Sequence, residues 1–194
     1  LTFLILGTVC TRNCAFCSVR HGKPMPPDLS ELNQICHAIE TLNLRFVVLT
    51  SPNRDDLPDG GASHYAHIVS RIHESYPSVK VEVLIPDFQG NINDLRTIIS
   101  AKPDVINHNI ETVPSLYTRI RKGSLYLRSL DVLSSIKDES PKTLTKTGIM
   151  LGLGETHDEL LTTFDDVAAR GVDILTLGQY LKPGKDNADV KKYY

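Results

Sequence analysis

Six short apolar segments alternate with five longer helix-compatible segments, and this alternation restricts the possible fold more than any other feature of the chain. The apolar segments are rich in Val, Ile and Leu and span residues 1–6, 44–50, 79–85, 104–109, 145–151 and 173–178. They lack strict polar–apolar alternation, as is typical of strands covered on both faces. The helix-compatible segments span residues 30–42, 62–76, 91–101, 114–137 (broken at Gly123) and 155–170. The pattern predicts parallel βα units in an α/β protein.

Consecutive right-handed crossovers of this kind produce either a doubly wound sheet or a barrel. No strand-length apolar segment follows Gly178, so an eight-stranded barrel does not fit within 194 residues. A partial (β/α)6 barrel of the TIM type does fit, in a single domain. We expect Asp28 or Ser30 to cap the first helix, Asn91 to cap the third, and Gly171 to follow the last.

Composition and charge exclude several classes of partner. The chain has 21 basic and 23 acidic residues, a formal charge of −2, whereas a non-specific nucleic-acid binder needs a basic excess. No apolar stretch reaches the ~20 residues that cross a bilayer. We therefore expect neither nucleic acid nor a membrane as a partner.

Polar residues concentrate where the predicted strands end. Such clusters follow five strands, at residues 10–17, 50–56, 107–111, 152–155 and 179–180. Ligands of parallel α/β folds bind at the carboxyl ends of strands, which lie together at one edge of the sheet. Ordinary loop polarity explains any one cluster, but five together predict a ligand site.

The four cysteines divide into a crowded group of three and a remote one. Cys10, Cys14 and Cys17 lie within eight residues, whereas Cys36 has the apolar neighbours of a small buried thiol. Crowding in a chain of this size favours metal ligation in a reducing compartment over a disulfide framework. Three thiolates at this spacing can hold three corners of a cubane iron–sulfur cluster and leave the fourth iron open. Zinc with His21 as a fourth ligand, or three unrelated thiols, are the alternatives.

The spacing Cys10-x3-Cys14-x2-Cys17, with Phe16 before the last cysteine, resembles the signature of radical S-adenosylmethionine (SAM) enzymes. Longer segments are similar to the lipoyl synthase family in particular, among them Arg-Asp-Asp-Leu at 54–57 and Asn-His-Asn-Ile-Glu-Thr-Val-Pro at 107–114. Further similar segments lie at residues 5–7, 21–27, 47–51, 59–61, 86–88, 148–156 and 175–181. The resemblance covers essentially the whole chain. It implies one radical SAM core domain, residues 1–194, with a partial (β/α)6 barrel, a [4Fe-4S] cluster and SAM as cofactors.

The resemblance also implies an activity. Enzymes of this family insert two sulfur atoms into an octanoyl chain carried on a lysine, which forms the lipoyl cofactor. The partners would be an octanoylated lipoyl carrier domain or glycine cleavage H protein, and an electron donor such as ferredoxin or flavodoxin. The compartment would be the bacterial cytoplasm or an organelle matrix. Another radical SAM sulfurtransferase and a non-catalytic iron–sulfur or zinc-stabilised binding module are the alternatives.

Two features of the lipoyl synthase family have no counterpart in these 194 residues. Family members carry a second cysteine triplet, N-terminal to the first, whose auxiliary [4Fe-4S] cluster supplies the sulfur, and a C-terminal serine near that cluster. The chain starts at Leu1 without a recognisable signal peptide. We expect a core cut from a longer protein, with the auxiliary cluster in the full-length protein only and sulfur insertion incomplete in this chain.

The implied cofactors give roles to residues at the strand ends. The cysteine triplet would hold the cluster, whose open iron would chelate the amino and carboxylate groups of SAM. Thr50 and Ser51 would accept from the amino group, and Arg121 is the candidate bidentate partner of the carboxylate. No side chain is assigned a catalytic step. The remaining contacts are Phe16 beside the cluster, Asn109 and Glu111 at the ribose, Met150 and Leu151 at the adenine, and Gln179, Tyr180 and Leu181 at the edges of the nucleoside.

Three neighbouring features have less specific explanations. His108 is expected to be satisfied in the core or turned outward. Gly152-x-Gly154 lacks the third glycine of a dinucleotide motif, and the resemblance instead implies that it lets the backbone approach the nucleoside. The charged loop at residues 54–61 is either a rim loop that meets the carrier domain or a salt-bridged turn.

Overall fold

The computed structural model describes all 194 residues as an open arc of six parallel strands with helices along its outer face. No helix is both long and apolar enough to span a membrane. Two 3-10 turns lie at Phe88–Gly90 and Pro114–Leu116. The other elements, in chain order, are β1 (Thr2–Leu4), β2 (Val9–Cys10), β3 (Arg20–His21), α1 (Glu31–Thr41), β4 (Phe46–Thr50), α2 (Ala62–Ser75), β5 (Lys80–Leu84), α3 (Ile92–Ser100), β6 (Val105–Asn107), α4 (Tyr117–Ile120), α5 (Tyr126–Glu139), β7 (Leu144–Leu151), α6 (His157–Ala169) and β8 (Ile174–Gln179).

The order of the strands distinguishes between the two predicted architectures. The sheet runs β1-β4-β5-β6-β7-β8 and every neighbouring pair is parallel. This is the order along the chain, whereas a doubly wound sheet reverses its order at a switch point. The partial (β/α)6 barrel is therefore confirmed, and it is open because β1 and β8 do not pair with each other. The short strands β2 and β3 pair only with one another, at either side of the cysteine loop.

The core lies between the outer face of the sheet and the helices. Buried residues of β4 and β5 form one cluster with apolar residues of α1, α2 and α3, including Val47, Leu49, Val81 and Val83. A second cluster joins α5, β7 and α6. Because successive side chains of a strand point to opposite faces, Thr50 and Leu84 face the inside of the barrel. The apolar packing thus directs these strand-end residues into the interior.

Helix ends follow the predicted capping signals with one difference. The Asn91 side chain accepts a hydrogen bond from Asn93 N–H (3.0 Å) at the start of α3, and Gly171 follows α6 with a φ of +68°. Ser30 stands at the N-cap of α1, but its side chain caps no backbone N–H. Asp28 instead accepts from Ser30 N–H (2.8 Å), so it orders the turn before the helix.

Three left-handed residues explain where the predicted elements stop. Gly123 (φ +84°) separates α4 from α5, as its position in the predicted fourth helix indicated. Strands predicted at residues 1–6 and 104–109 are shorter, since β1 ends at Leu4 and β6 at Asn107. Leu6 has a φ of +63°, and Glu111, which rejoins β7 as an isolated bridge to Ile149, has a φ of +71°. Such conformations in non-glycine residues cluster at functional sites, and both precede or line the cleft described next.

Candidate functional site

The cysteine loop lies at the carboxyl end of the sheet, and its three thiols line one cleft of about 290 Å³. Arg12 N–H donates to Cys10 Sγ (3.3 Å), and Val19 N–H donates to Cys17 Sγ (3.4 Å). Cys14 Sγ lies 4.0 Å from the Lys122 carbonyl oxygen. Backbone N–H groups aimed at sulfur stabilise a negative charge there, which is how proteins tune iron–sulfur clusters. Cys36 lies on α1, outside this cleft.

Burial favours the protonated form of two of these thiols, those of Cys14 and Cys17. It raises the pKa of Cys14 to about 11, against the opposing charge of Arg121, and it also raises the pKa of Cys17. A metal must therefore displace these protons, so cluster binding at this site would release protons.

The geometry disfavours zinc at this loop. No three His, Cys, Asp or Glu side chains converge closely enough to hold a single metal ion. A structural zinc needs four ligands at about 2.0–2.3 Å. His21, the candidate fourth ligand, is exposed on β3. A cubane accepts one thiolate at each of three separate irons, so three thiols that share a cleft without converging on one point fit a cluster better than an ion.

Six of the predicted cofactor contacts share the cleft with the thiols: Phe16, Thr50, Ser51, Asn109, Glu111 and Arg121. The Ser51 hydroxyl is buried and makes no hydrogen bond of good geometry, because the neighbouring Tyr65 hydroxyl donates to the Leu84 carbonyl (2.7 Å) instead. Buried polar atoms almost always have a partner, so an orphaned hydroxyl in a cleft indicates a missing ligand. The predicted amino group of SAM supplies the donor that Ser51 lacks. The residues present therefore fit the implied cofactors.

Glu111 and Arg121 place opposite charges inside the cleft. Burial raises the pKa of Glu111, while Arg121 and the Asn109 amide oppose the rise. Arg121 is only 8% exposed, so it is not a solvated helix-end charge. Its Nη1 donates to the hydroxyls of Tyr117 (2.9 Å) and Ser129 (2.7 Å). The hydrogen-bond acceptors of Nη1 are therefore neutral, and the Glu111 carboxylate in the same cleft is near enough for its charge to interact with that of Arg121.

The other five predicted contacts lie outside the cleft, at the ends of β7 and β8. Met150 and Leu151 pack against the second apolar cluster. Tyr180 is buried and its hydroxyl donates to the Ala188 carbonyl (2.8 Å), whereas Leu181 is 67% exposed. Their contact with a nucleoside stays a prediction.

The C-terminal residues cross the ends of β7 and β8. Lys191 N–H donates to the Gly152 carbonyl (2.7 Å). Gln179, the remaining predicted contact at the end of β8, donates through Nε2 to the Lys192 carbonyl (3.2 Å). Gly152 has a φ of +102°, and a side chain there would overlap that same Lys192 carbonyl. The close approach that Gly152 allows is therefore to the chain's own backbone.

Arg12, between the first two cysteines, connects three loops around the cleft. It binds Asp55 with two hydrogen bonds (2.7 and 2.8 Å), Asp87 (2.6 Å) and the Ser124 hydroxyl (2.9 Å). This pairing raises the pKa of Arg12 and lowers that of Asp87 to about 2. Sequence reasoning missed this network, although Arg12 lies inside the motif and both carboxylates follow strand ends.

The charged loop at residues 54–61 is a salt-bridged turn in this structure. Arg54 is fully buried and donates to both oxygens of Asp56 (2.9 Å each). It also donates to the carbonyls of Leu6 (2.9 Å) and Met25 (3.0 Å). Arg54 thereby fixes the left-handed turn that leads from β1 into the cysteine loop.

A partial (β/α)6 barrel with this cysteine triplet at its strand ends defines a protein of the radical SAM class, and residues 4–167 match the Radical SAM superfamily. Two solved structures share the fold. Methylornithine synthase has a TM-score of 0.74 at 14% identity, and the match covers 97% of this chain and 58% of that one. Streptococcus suis SuiB bound to S-adenosylmethionine has a TM-score of 0.74 at 11% identity, and the match covers 99% of this chain and 43% of that one.

Within that class, the chain belongs to the lipoyl synthase family. It is 50% identical over 193 residues to lipoyl synthase of Koribacter versatilis, covering 100% of this chain and 64% of that relative. It is 50% identical over 192 residues to lipoyl synthase of Caldanaerobacter subterraneus, covering 99% and 67%. The chain thus spans about two thirds of the length of these curated relatives. The expected fold and family are confirmed.

Proposed function

We propose that this chain is the radical-generating core of a lipoyl synthase. The observation that carries the proposal is one cleft that three thiols share with the buried and unpaired hydroxyl of Ser51. When bound, a [4Fe-4S] cluster and SAM supply an electron and a 5′-deoxyadenosyl radical. The contribution of this chain's own residues is binding and orientation.

The residues that line the cleft bind different parts of the cofactors in this proposal. Cys10, Cys14 and Cys17 hold the cluster and leave one iron open for a ligand. Thr50 and Ser51 accept hydrogen bonds from the amino group of SAM. Arg121 would hold the carboxylate of the ligand, Asn109 and Glu111 would hold its ribose hydroxyls, and Phe16 would keep the cluster side of the cleft apolar.

The adenine contacts belong to the adjoining strands. Met150 N–H donates to the Glu111 carbonyl (2.9 Å), so the end of β7 is tied directly to the proposed ribose site. Met150 and Leu151 would then pack on the adenine. The edges of the nucleoside would be contacted by residues at the end of β8, namely Gln179, Tyr180 and Leu181.

The full-length protein would use the radical to insert two sulfur atoms into an octanoyl-lysine, with an auxiliary [4Fe-4S] cluster as the sulfur source. Its partners would be an octanoylated lipoyl carrier domain or glycine cleavage H protein, and an electron donor such as ferredoxin or flavodoxin. The 50% identity to bacterial lipoyl synthases supports these assignments and a bacterial cytoplasm or organelle matrix as the compartment. Residues 1–194 would act as one core domain.

Electron paramagnetic resonance of the anaerobically reconstituted chain tests the core proposal. The signal of the reduced cluster should change when SAM is added, because the open iron gains a ligand, whereas a closed four-ligand site would not respond. Replacing Cys10, Cys14 or Cys17 with Ala should abolish the signal. Cys36→Ala is the matched control and should keep its iron. Equal loss of iron in Cys36→Ala and Cys14→Ala would contradict the three-ligand site.

A further inference from the structure

His108 has no role in the proposed function, although it lies between two residues of the same strand end. It is fully buried; its Nδ1 lies 2.9 Å from the Ile85 carbonyl oxygen and its Nε2 lies 3.5 Å from Arg121 Nη2. A carbonyl oxygen only accepts hydrogen bonds, so Nδ1 must carry the proton. Nε2 therefore presents a lone pair to the guanidinium of Arg121.

The ring is held in its neutral form. Burial and the adjacent charges of Arg121 and Arg12 lower the pKa of His108 to about 3, against the opposing effects of the Ile85 carbonyl and Asp87. A neutral imidazole can accept from Arg121, whereas a protonated one would repel it.

The donors of Arg121 are divided between the protein and the cleft. A guanidinium has five N–H donors. Nη1 donates to Tyr117 and Ser129, and one hydrogen of Nη2 faces His108. Nε and the second hydrogen of Nη2 make no hydrogen bond to a protein acceptor. These two donors form the planar edge that binds a carboxylate with two parallel hydrogen bonds, and Arg121 lines the cleft.

We propose that His108 is a positioning residue, which fixes the rotation of the Arg121 guanidinium so that its Nε–Nη2 edge faces the cleft and binds the carboxylate of SAM. The inference rests on the proposed function, in which Arg121 is the partner of that carboxylate. Three neutral acceptors orient the cation: His108, Tyr117 and Ser129. A carboxylate in the place of any of them would orient Arg121 equally well but would cancel the charge that the ligand needs.

The first test compares SAM affinity among variants of the anaerobically reconstituted chain, by calorimetric titration. His108→Leu fills a similar volume without an acceptor and should weaken SAM binding about tenfold, the low end for outer-shell partners, because the contact is long. Its iron content and cluster spectrum should match the parent. His108→Gln keeps a donor for Ile85 and an acceptor for Arg121 and should recover most of the affinity. The matched control is Thr112→Val. It removes a buried hydroxyl that makes no hydrogen bond and does not line the cleft, so it should bind SAM as the parent does.

The decisive measurement repeats the titration with decarboxylated SAM. If His108 acts through the carboxylate, the parent and His108→Leu should bind this ligand equally. Equal weakening of both ligands, or unchanged affinity for SAM, would overturn the proposal. If circular dichroism shows that His108→Leu is unfolded, Tyr117→Phe removes another acceptor of Arg121 and should give the same selective loss. A parent chain that binds no SAM would refute the proposed function together with this inference, whereas a parent that binds SAM beside an indifferent His108→Leu would refute the inference alone.

Discussion

Glu111 has a left-handed backbone conformation at a position that lines the cleft. Its φ of +71° is unfavourable for a residue with a side chain, yet its N–H donates to Gly148 (2.8 Å) and its carbonyl accepts from Met150 (2.9 Å). These two hydrogen bonds hold the left-handed conformation, which brings the carboxylate into the cleft instead of into the sheet. Strain retained in this way is typical of ligand sites.

Glu111→Ala should weaken SAM binding while it spares the cluster. A lost hydrogen bond to a charged acceptor costs about 1.5–3 kcal/mol, which corresponds to ~10–150-fold in affinity. Titration of the reconstituted variant with SAM measures the change, and iron content shows whether the cluster is intact. Glu74→Ala, in an exposed ion pair on α2, is the control and should bind as the parent does. Equal affinity of Glu111→Ala and the parent would remove Glu111 from the site.

The buried His108 should make the fold sensitive to mild acid. Its pKa of about 3 in the folded chain lies below the ordinary 6.5, because of burial and the nearby Arg121. Between these two pH values the unfolded chain binds a proton that the folded chain excludes, so stability is full above pH ~6.5 and falls as the pH drops toward ~3. Urea unfolding at pH 7 and pH 5 should show the parent losing on the order of 2 kcal/mol more than His108→Gln, which does not titrate. Identical losses in the two proteins would mean that His108 is not buried as a neutral ring.

At the scale of elements, the sequence pattern predicted the strands that are buried on both faces. Runs of Val, Ile and Leu marked all six sheet strands, because parallel strands are covered by helices or by neighbouring layers on both faces. The pair β2 and β3 escaped prediction because two-residue strands are too short to show a period. The early end of β1 also escaped, since the strand is followed by Leu6 in a left-handed conformation, which no propensity favours.

The site was predictable where its residues are adjacent in sequence and not where they meet only in the fold. Cys10, Cys14 and Cys17 could be grouped from spacing alone, and the structure places their thiols in one cleft. The partners of Arg12, by contrast, lie 43 and 75 residues away, at Asp55 and Asp87. The same applies to Asn187, whose side-chain amide donates to the carbonyls of Ala15 (3.3 Å) and Cys17 (2.8 Å) and so ties the C-terminal residues to the cysteine loop. Long-range pairs of this kind leave no periodic signal.

The N-terminal cap of α6 can be tested by a single substitution. The Thr156 hydroxyl accepts from Glu159 N–H (3.3 Å), and the Glu159 carboxylate accepts from Thr156 N–H (2.8 Å), a capping box at the start of α6. Thr156→Ala should lower the free energy of unfolding by about 1 kcal/mol. The control is Thr162→Ala on the exposed side of the same helix, which should not lower the free energy of unfolding, because Ala is the better helix former. Urea titrations of both variants decide the point; equal effects would mean that the cap contributes nothing.

At the scale of the whole molecule, the open arc explains why the cleft is accessible. β1 and β8 do not pair, and the interior carries exposed apolar side chains such as Leu4 (45%) and Phe46 (42%). A radical enzyme must exclude water from its reactive centre, because water and side reactions quench reactive intermediates. In this chain the cysteine loop and the cleft beside it are half-exposed. The 194-residue polypeptide should therefore bind its cofactors but protect their products poorly.

This exposure, together with the cysteine inventory, predicts what the 194-residue polypeptide does by itself. It contains one triplet of cysteines and a lone Cys36, and therefore no second set of thiolates for a sulfur-donating cluster. Given reductant and SAM under anaerobic conditions, it should slowly form 5′-deoxyadenosine, and it should make no lipoyl product from an octanoylated carrier peptide. Mass spectrometry measures the amounts of 5′-deoxyadenosine and of lipoyl peptide formed in one reaction. Cys14→Ala is the control and should form neither product. Formation of lipoyl product would show that sulfur reaches the substrate by a route that needs no second triplet, whereas absence of 5′-deoxyadenosine in the parent would show that the cleft described here does not activate SAM.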